Sequence, residues 1–438
     1  MTPEFYMPVK AIRRFFAAKQ SKKALFLAVM GLFILLNVGS RVLFPGQILG
    51  LDYNLFHPDG ICYTKQSFDF AGVNSKESQI QILNKYQSLD IDYTPNFDEK
   101  KCQVLKGRIL YPLISAPLVG IFGVDGMVIS SVLILLLGLF LCLLILLKFT
   151  KQPVLAMFLV SIVSCSSSFL RWGISNTTDG LLFTLSCAFL LVFVNLLEKN
   201  SFKYFLLMSL ILILMTFTRR SFYIPITYSL LTTIFFFITH RKKLRISRIK
   251  LLKELLKRQN FLLFIPFFAV GLDVINRNIF PVQNNSWIIN SVINCLSGEK
   301  IIAQPGSTFT SINCSFDNSS YVSQVLGAFF QAFANIAVYI FVTIGQIFVL
   351  DKLLFFFIIN YLVFLTITLM RRKRMREIDF IVAFFPIILI FIASLNSTLG
   401  LNFRLELPAI PVFLLAALFS VQRFNLTLID QDNRPNAA

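Results

Sequence analysis

"MVISSVLILLLGLFLCLLILLK", residues 127 to 148, carries no charged side chain until its last residue, Lys148. A helix of that length rises about 30 Å, the hydrocarbon thickness of a bilayer, so the segment reads as a membrane span. Outward from it, apolar runs long enough or nearly long enough to cross lie at about 25 to 45, 153 to 170, 180 to 197, 204 to 218, 222 to 239, 261 to 277, 353 to 370, 378 to 395 and 407 to 421. The composition agrees: 56% of the 438 residues are hydrophobic, 49 are Phe, and only 14% are charged. An ordinary soluble globule is excluded. The sequence predicts an all-α polytopic membrane protein, one membrane-embedded domain over residues 1–438 with about 10–11 transmembrane helices and a long first outer loop containing juxtamembrane helices.

The net charge of +19 would suit nucleic acid if it were spread over one surface, but it sorts along the chain instead. The N-terminal head, the run "RKKLRISRIKLLKELLKR" (241–258), the run "RRKRMRE", two short turns and the tail hold 26 of the 41 Lys and Arg residues and only 7 of the 22 acids. The other segments are neutral in sum. This is the positive-inside bias, and it removes the support for a nucleic-acid partner. The basic head precedes an apolar run with no small-residue cleavage site, so it reads as a retained first helix. Both termini are then expected in the cytoplasm. Much Phe, Ile, Lys and Asn with little Gly and Pro suggests an AT-rich genome and a bacterial inner membrane.

Two polar segments are expected outside, a first outer (periplasmic) loop at 46–110 and a second at 277–320, while 241–258 forms a basic cytoplasmic loop. "YPLISAPLVGIFG" (111–123) is too short to cross and carries two prolines. The run 321–350 is read as lying along or dipping into the outer face, with an eleventh crossing as the alternative. Within the first loop, "ESQIQILNKYQSL" puts Ile82, Leu83, Tyr86 and Leu89 on one helical face suited to the membrane surface. Cys62 and Cys102 share the first loop and Cys295 and Cys314 the second, so each pair is a disulfide candidate that would staple a loop without a core of its own. Cys142, Cys165 and Cys187 fall in or beside spans.

The chain has only two histidines, His57 and His240, and no HExxH, CxxC pair, Walker loop or GxSxG motif, so zinc, triad-hydrolase and ATP-driven readings lose their basis. What remains is carboxylates and arginines near the outer helix ends: Asp59, Asp52, Asp179, Arg108, Arg171, Arg219, Arg220 and Arg404, with His57 close by. Ionisable groups near membrane depth are costly unless functional, paired or wet. Each taken singly also reads as an interfacial anchor, and Asp179 as a cap on the helix it opens. Together they suit a lipid-linked phosphate, which guanidinium binds with planar charge-assisted hydrogen bonds, beside a carboxylate that can take a proton from a hydroxyl nucleophile.

The loop "DGICYTKQSFDFAG" resembles the D-x-x-Y-x-x-x-A/S pattern after the first helix of GT-C fold glycosyltransferases, which include protein mannosyltransferases and lipid A aminoarabinose transferases. "GRILYPLISAPLVGIFGVDG" is similar to their loop exit, "SNTTDGLLFTLSCAFLL" to the span opening with aspartate, "LLMSLILILMTFTRRSFYIP" to the helix ending in T-R, and "NFRLELPAIPVFLL" to the late R-Y/F-x-x-P-x-x-P segment. These matches follow the family order over most of the chain. The resemblance implies a catalytic aspartate at Asp59, with Asp52 in reserve, and a sugar donor on polyprenyl phosphate. It implies donor-phosphate contact at Arg404 and, less directly, Arg219. Gly60 stands where many members carry a second acid, so no metal and no cofactor are expected. Tyr63 would line the site, and His57, Arg108, Arg171 and Asp179 complete the substrate-binding candidates. The acceptor is a lipid, glycan or protein, with Trp287 in the segment expected to shape its choice. The competing classes are a transporter or flippase for a lipid-linked sugar, an O-antigen polymerase or ligase, and a non-catalytic scaffold.

Overall fold

The computed structural model describes residues 20–43, 58–88, 102, 105–219, 221, 223–243, 264–276, 278–280, 345, 351–370, 375–396 and 404–432. Among these residues every regular element is helical. In chain order they are α1 (Gln20–Leu43), α2 (Pro58–Phe70), α3 (Ser75–Ser88), α4 (Leu110–Phe122), α5 (Asp125–Phe149), α6 (Pro153–Val163), α7 (Ser167–Ile174), α8 (Asp179–Lys199), α9 (Phe202–Thr218), α10 (Tyr223–Lys243), α11 (Phe264–Asn276), α12 (Lys352–Met370), α13 (Glu377–Asn396), a 3-10 turn at Arg404–Ala409, and α14 (Ile410–Asp432).

Three of these helices, α5, α8 and α12, are long and apolar enough to cross a membrane, or four if the bent pair α6–α7 counts as one span. The centre of the bundle is α8, which lies against α5, α7, α9 and the 3-10 turn. Its Phe183, Phe189, Leu190 and Phe193 are fully enclosed. Around it, α10 packs on α13, and α12 and α13 both pack on α14. Tyr228 of α10 stacks on Phe385 of α13 with ring centroids 4.2 Å apart.

Charges mark one end of the bundle. Lys148 bridges Glu198 at 2.7 Å, Arg376 and Arg423 both grip the buried Asp379 at 2.9 Å, and Gln422 donates to the carbonyl of Phe149. These are residues that charge sorting places on one side. Since α8 is 21 residues long, its opening residue Asp179 lies about 30 Å away at the other end.

Three expectations are corrected. The run 153 to 170 is not one straight span but two helices bent by 76°. Hydroxyls in "SCSSS" supply the reason: Ser164 Oγ donates to the carbonyl of Ser161, and Ser166 caps the next helix by accepting from Phe169 N–H. The first outer loop does have a core, since Ile61, Tyr63, Phe68, Ile82 and Tyr86 belong to the bundle's own buried cluster. The apolar face of α3 is likewise spent inward, because Ile82 and Tyr86 are enclosed. Leu89 lies outside the described residues.

Candidate functional site

At the end opposite the Lys148–Glu198 pair, α2 opens with Asp59 in its first turn, half-buried, so the dipole of the helix favours its negative form. Gly60 follows, and its lack of a side chain is structural: a Cβ there would stand 2.0 Å from Oδ1 of Asn176. The fully buried Asn176 thus sits directly on the first turn of α2 and donates to the Tyr86 hydroxyl of α3 at 3.3 Å. This fixes the loop Ser175–Thr178 against the aspartate-bearing turn.

From that loop a chain of hydrogen bonds runs both ways. Thr177 donates to Asp179 Oδ2 at 2.7 Å, and Arg219 Nη1 donates to Asp179 Oδ1 at 2.6 Å. Ser175 Oγ lies 2.9 Å from Thr177 Oγ1, and the Ser175 carbonyl accepts from Ser131 Oγ at 2.9 Å. Ser131 Oγ in turn bonds the Tyr111 hydroxyl at 2.6 Å. Ser131 gives its proton to the Ser175 carbonyl, the Tyr111 hydroxyl donates to the Met127 carbonyl at 3.1 Å, and burial pushes its phenol above the usual range. Tyr111 meets Tyr63 edge to face at 6.0 Å, and the Tyr63 hydroxyl accepts from Arg108 Nη1 at 2.9 Å. Asp59 and Tyr63 of α2, Arg108, Asp179 and Arg219 therefore belong to one connected region.

The cysteine pair Cys62–Cys102 is a disulfide, closing 40 residues between α2 and the approach to Arg108. Asp179 is the first helical residue rather than the cap, since Thr178 holds that position, and its carboxylate serves Arg219 and Thr177. Arg219 is accordingly engaged with Asp179. Arg171 of α7 lies 5.4 Å over the Trp172 ring, with no carboxylate recorded beside it among the described residues. Arg404 begins the 3-10 turn that packs on α8, but its side chain lies outside the described residues. Asp52, His57, Arg220, Cys295, Cys314 and Trp287 lie outside them too, as does nearly all of 244–263 and 281–350. Among the described residues, no three His, Cys, Asp or Glu side chains group to hold a metal ion.

Sequence reading passed over Asn176, Ser131 and Thr177, neutral residues whose part comes only from what they touch. It also passed over Asp351. This buried carboxylate accepts at 2.6 Å from Ser166 Oγ and at 2.8 Å from the Ser168 N–H at the start of α7, and at 3.0 Å from Leu354 N–H in α12, the helix it immediately precedes. It was hidden between two long apolar runs, where a lone acid reads as a loop residue.

No protein-family model matches the chain, and no curated protein matches it.

Proposed function

We propose that this protein is an inverting glycosyltransferase that moves a sugar from a polyprenyl-phosphate donor to a lipid, glycan or protein acceptor at the outer face of a bacterial inner membrane. The observation that carries the reading is the seating of Gly60 on Asn176, which sets the Asp59 turn of α2 against the loop leading to the Asp179–Arg219 pair. In this reading the Asp59 end faces outward, the Lys148–Glu198 end inward, about ten helices cross, and both termini are cytoplasmic.

Asp59 acts as general base. The acceptor hydroxyl gives its proton to the carboxylate as its oxygen attacks the anomeric carbon from the face opposite the phosphate; the carbon–oxygen bond to phosphate breaks, and lipid phosphate leaves. Arg108 is half-buried, and its polar partner among the described residues is a neutral phenol, which leaves its charge for the phosphate. Arg404 and Arg171 are the further guanidiniums assigned to this role, and Tyr63 positions Arg108. Arg219, neutralised by Asp179, holds the loop instead.

The test is transfer of radiolabelled sugar from polyprenyl-phosphate donors in membranes carrying wild type or Asp59→Asn at matched expression. Loss of a wild-type signal in the variant supports the reading; an undiminished signal removes Asp59 and turns attention to Asp52. A second reading, a transporter of a lipid-linked sugar, is favoured by one observation: the 76° break between α6 and α7 holds the buried Asp351, and discontinuous helices often frame transport sites. Failure of both proteins to transfer from a broad donor panel, with movement of the donor across vesicles, would select it.

A further inference from the structure

The helix α4 is too short to cross a bilayer, since its 13 residues rise about 20 Å. It is nevertheless apolar on both sides. Tyr111, Pro112, Ser115, Ala116 and Val119 are buried, and α4 packs on α2 and α5. The opposite face presents Leu113, Ile114, Ile121 and Phe122, which are 51%, 44%, 73% and 53% exposed. No charged residue occurs between Arg108 and Asp125. Charges stand only at the two ends, Lys106 and Arg108 before the helix and the Lys85–Asp125 ion pair after it.

An amphipathic helix on an aqueous surface would turn a polar side to water. This one has none, and a contiguous apolar face of this kind marks contact with lipid or another apolar partner. Its packing partner α5, the most apolar candidate span, also turns Leu133, Leu137 and Phe140 outward at 54%, 53% and 54% exposure. The face of α4 thus accompanies one that lipid must cover. Its end is set sharply: Gly123, at φ +62°, closes α4 before Asp125 and Lys85 return the chain to charge.

We propose that α4 is seated among the acyl chains of the bilayer, with Leu113, Ile114, Ile121 and Phe122 in hydrocarbon, and that α4 rather than α3 holds the α2–α3 unit to the membrane. This placement does not depend on which reaction the protein performs. It sets the first turn of α2 and Arg108 at headgroup depth, where an apolar chain can lie along α4 while its polar head meets the guanidinium.

The test uses the full chain in nanodiscs containing brominated phosphatidylcholine, with Trp introduced by Ile121→Trp or, separately, Leu113→Trp, and emission read against wild type to subtract Trp172 and Trp287. Asn84→Trp on the exposed side of α3 is the control. The expected result is loss of the added emission with brominated lipid and little loss with aqueous iodide for both α4 variants, and the reverse for Asn84→Trp. Quenching of the α4 variants by iodide alone would overturn the proposal. So would protection from both quenchers, which would mean that another part of this chain or a second copy covers the face. Size-exclusion profiles matching wild type show that either variant is folded, and the two sites report independently.

Discussion

Asp179 and Arg219 meet at 2.6 Å, the carboxylate wholly enclosed and the guanidinium nearly so, where α8 begins and α9 ends. Neither helix needs the other's charge to form; the pair instead fixes the relative height of the two helix ends beside the Ser175–Thr178 loop. Breaking a buried pair by removing one partner leaves an uncompensated charge and costs about 3–5 kcal/mol, whereas removing both often costs less. Arg219→Gln and Asp179→Asn should each lower the thermal midpoint in detergent sharply. The double variant Asp179→Asn with Arg219→Gln should recover part of the loss, and equal losses for single and double variants would show that the pair contributes no coupling.

Cys62 and Cys102 tie the first turns of α2 to the chain entering α4, closing a loop of 40 residues. Cross-linking a loop of this size restricts the unfolded chain by about 4 kcal/mol on the loop-entropy account. Cys62→Ser with Cys102→Ser is expected to unfold at lower temperature than wild type, and a reductant should move wild type toward the variant while leaving the variant unmoved. A reductant-insensitive midpoint in wild type would show that the loop is held by its buried residues alone.

Gly60 tolerates no side chain where Asn176 stands. Gly60→Ala forces either the amide or α2 to move, an overpacking cost of about 1–3 kcal/mol. Because the clashing atoms are Cγ, Oδ1 and Nδ2 of Asn176, Asn176→Ala removes all of them. The double variant Gly60→Ala with Asn176→Ala should therefore be more stable than Gly60→Ala alone, as read by thermal unfolding; a simple sum of the two losses would mean that the contact is looser than this geometry.

How much of this was legible in the sequence depended on the range of the physics involved. The span-length helices α5, α8 and α12 follow from long apolar runs, because hydrocarbon admits little else. The Cys62–Cys102 bridge followed from two thiols sharing one segment. The break after Val163 was not legible, since isolated serines barely lower an apolar average and the carboxylate that secures the bend comes from residue 351. The face of α3 was misread for a related reason: Ile82 and Tyr86 announce an apolar face, but only packing decides whether protein or lipid covers it. At the site, Asp59 and Arg108 are legible by residue type and Tyr63 only through the resemblance, whereas Asn176 is not legible, because an amide acquires its part here from the empty Cβ position of Gly60.

Asp351 secures two helix starts at once, the beginning of α12 through Leu354 N–H and that of α7 through Ser168 N–H and Ser166 Oγ. Both N-termini favour a negative charge, and each cap of this kind is worth about 1 kcal/mol, more when the carboxylate is enclosed. Asp351→Ala removes both caps and is expected to destabilise the protein more than Ser166→Ala, which leaves the α12 cap intact. Asp351→Asn keeps one acceptor oxygen but cannot satisfy both helix starts, so it should fall between wild type and Asp351→Ala. The same series separates the functional readings. If the bend merely joins α7 to α12, the Asn variant at a temperature where it is folded should retain wild-type donor handling; if the bend frames a transport path, that variant should lose transport while still folded.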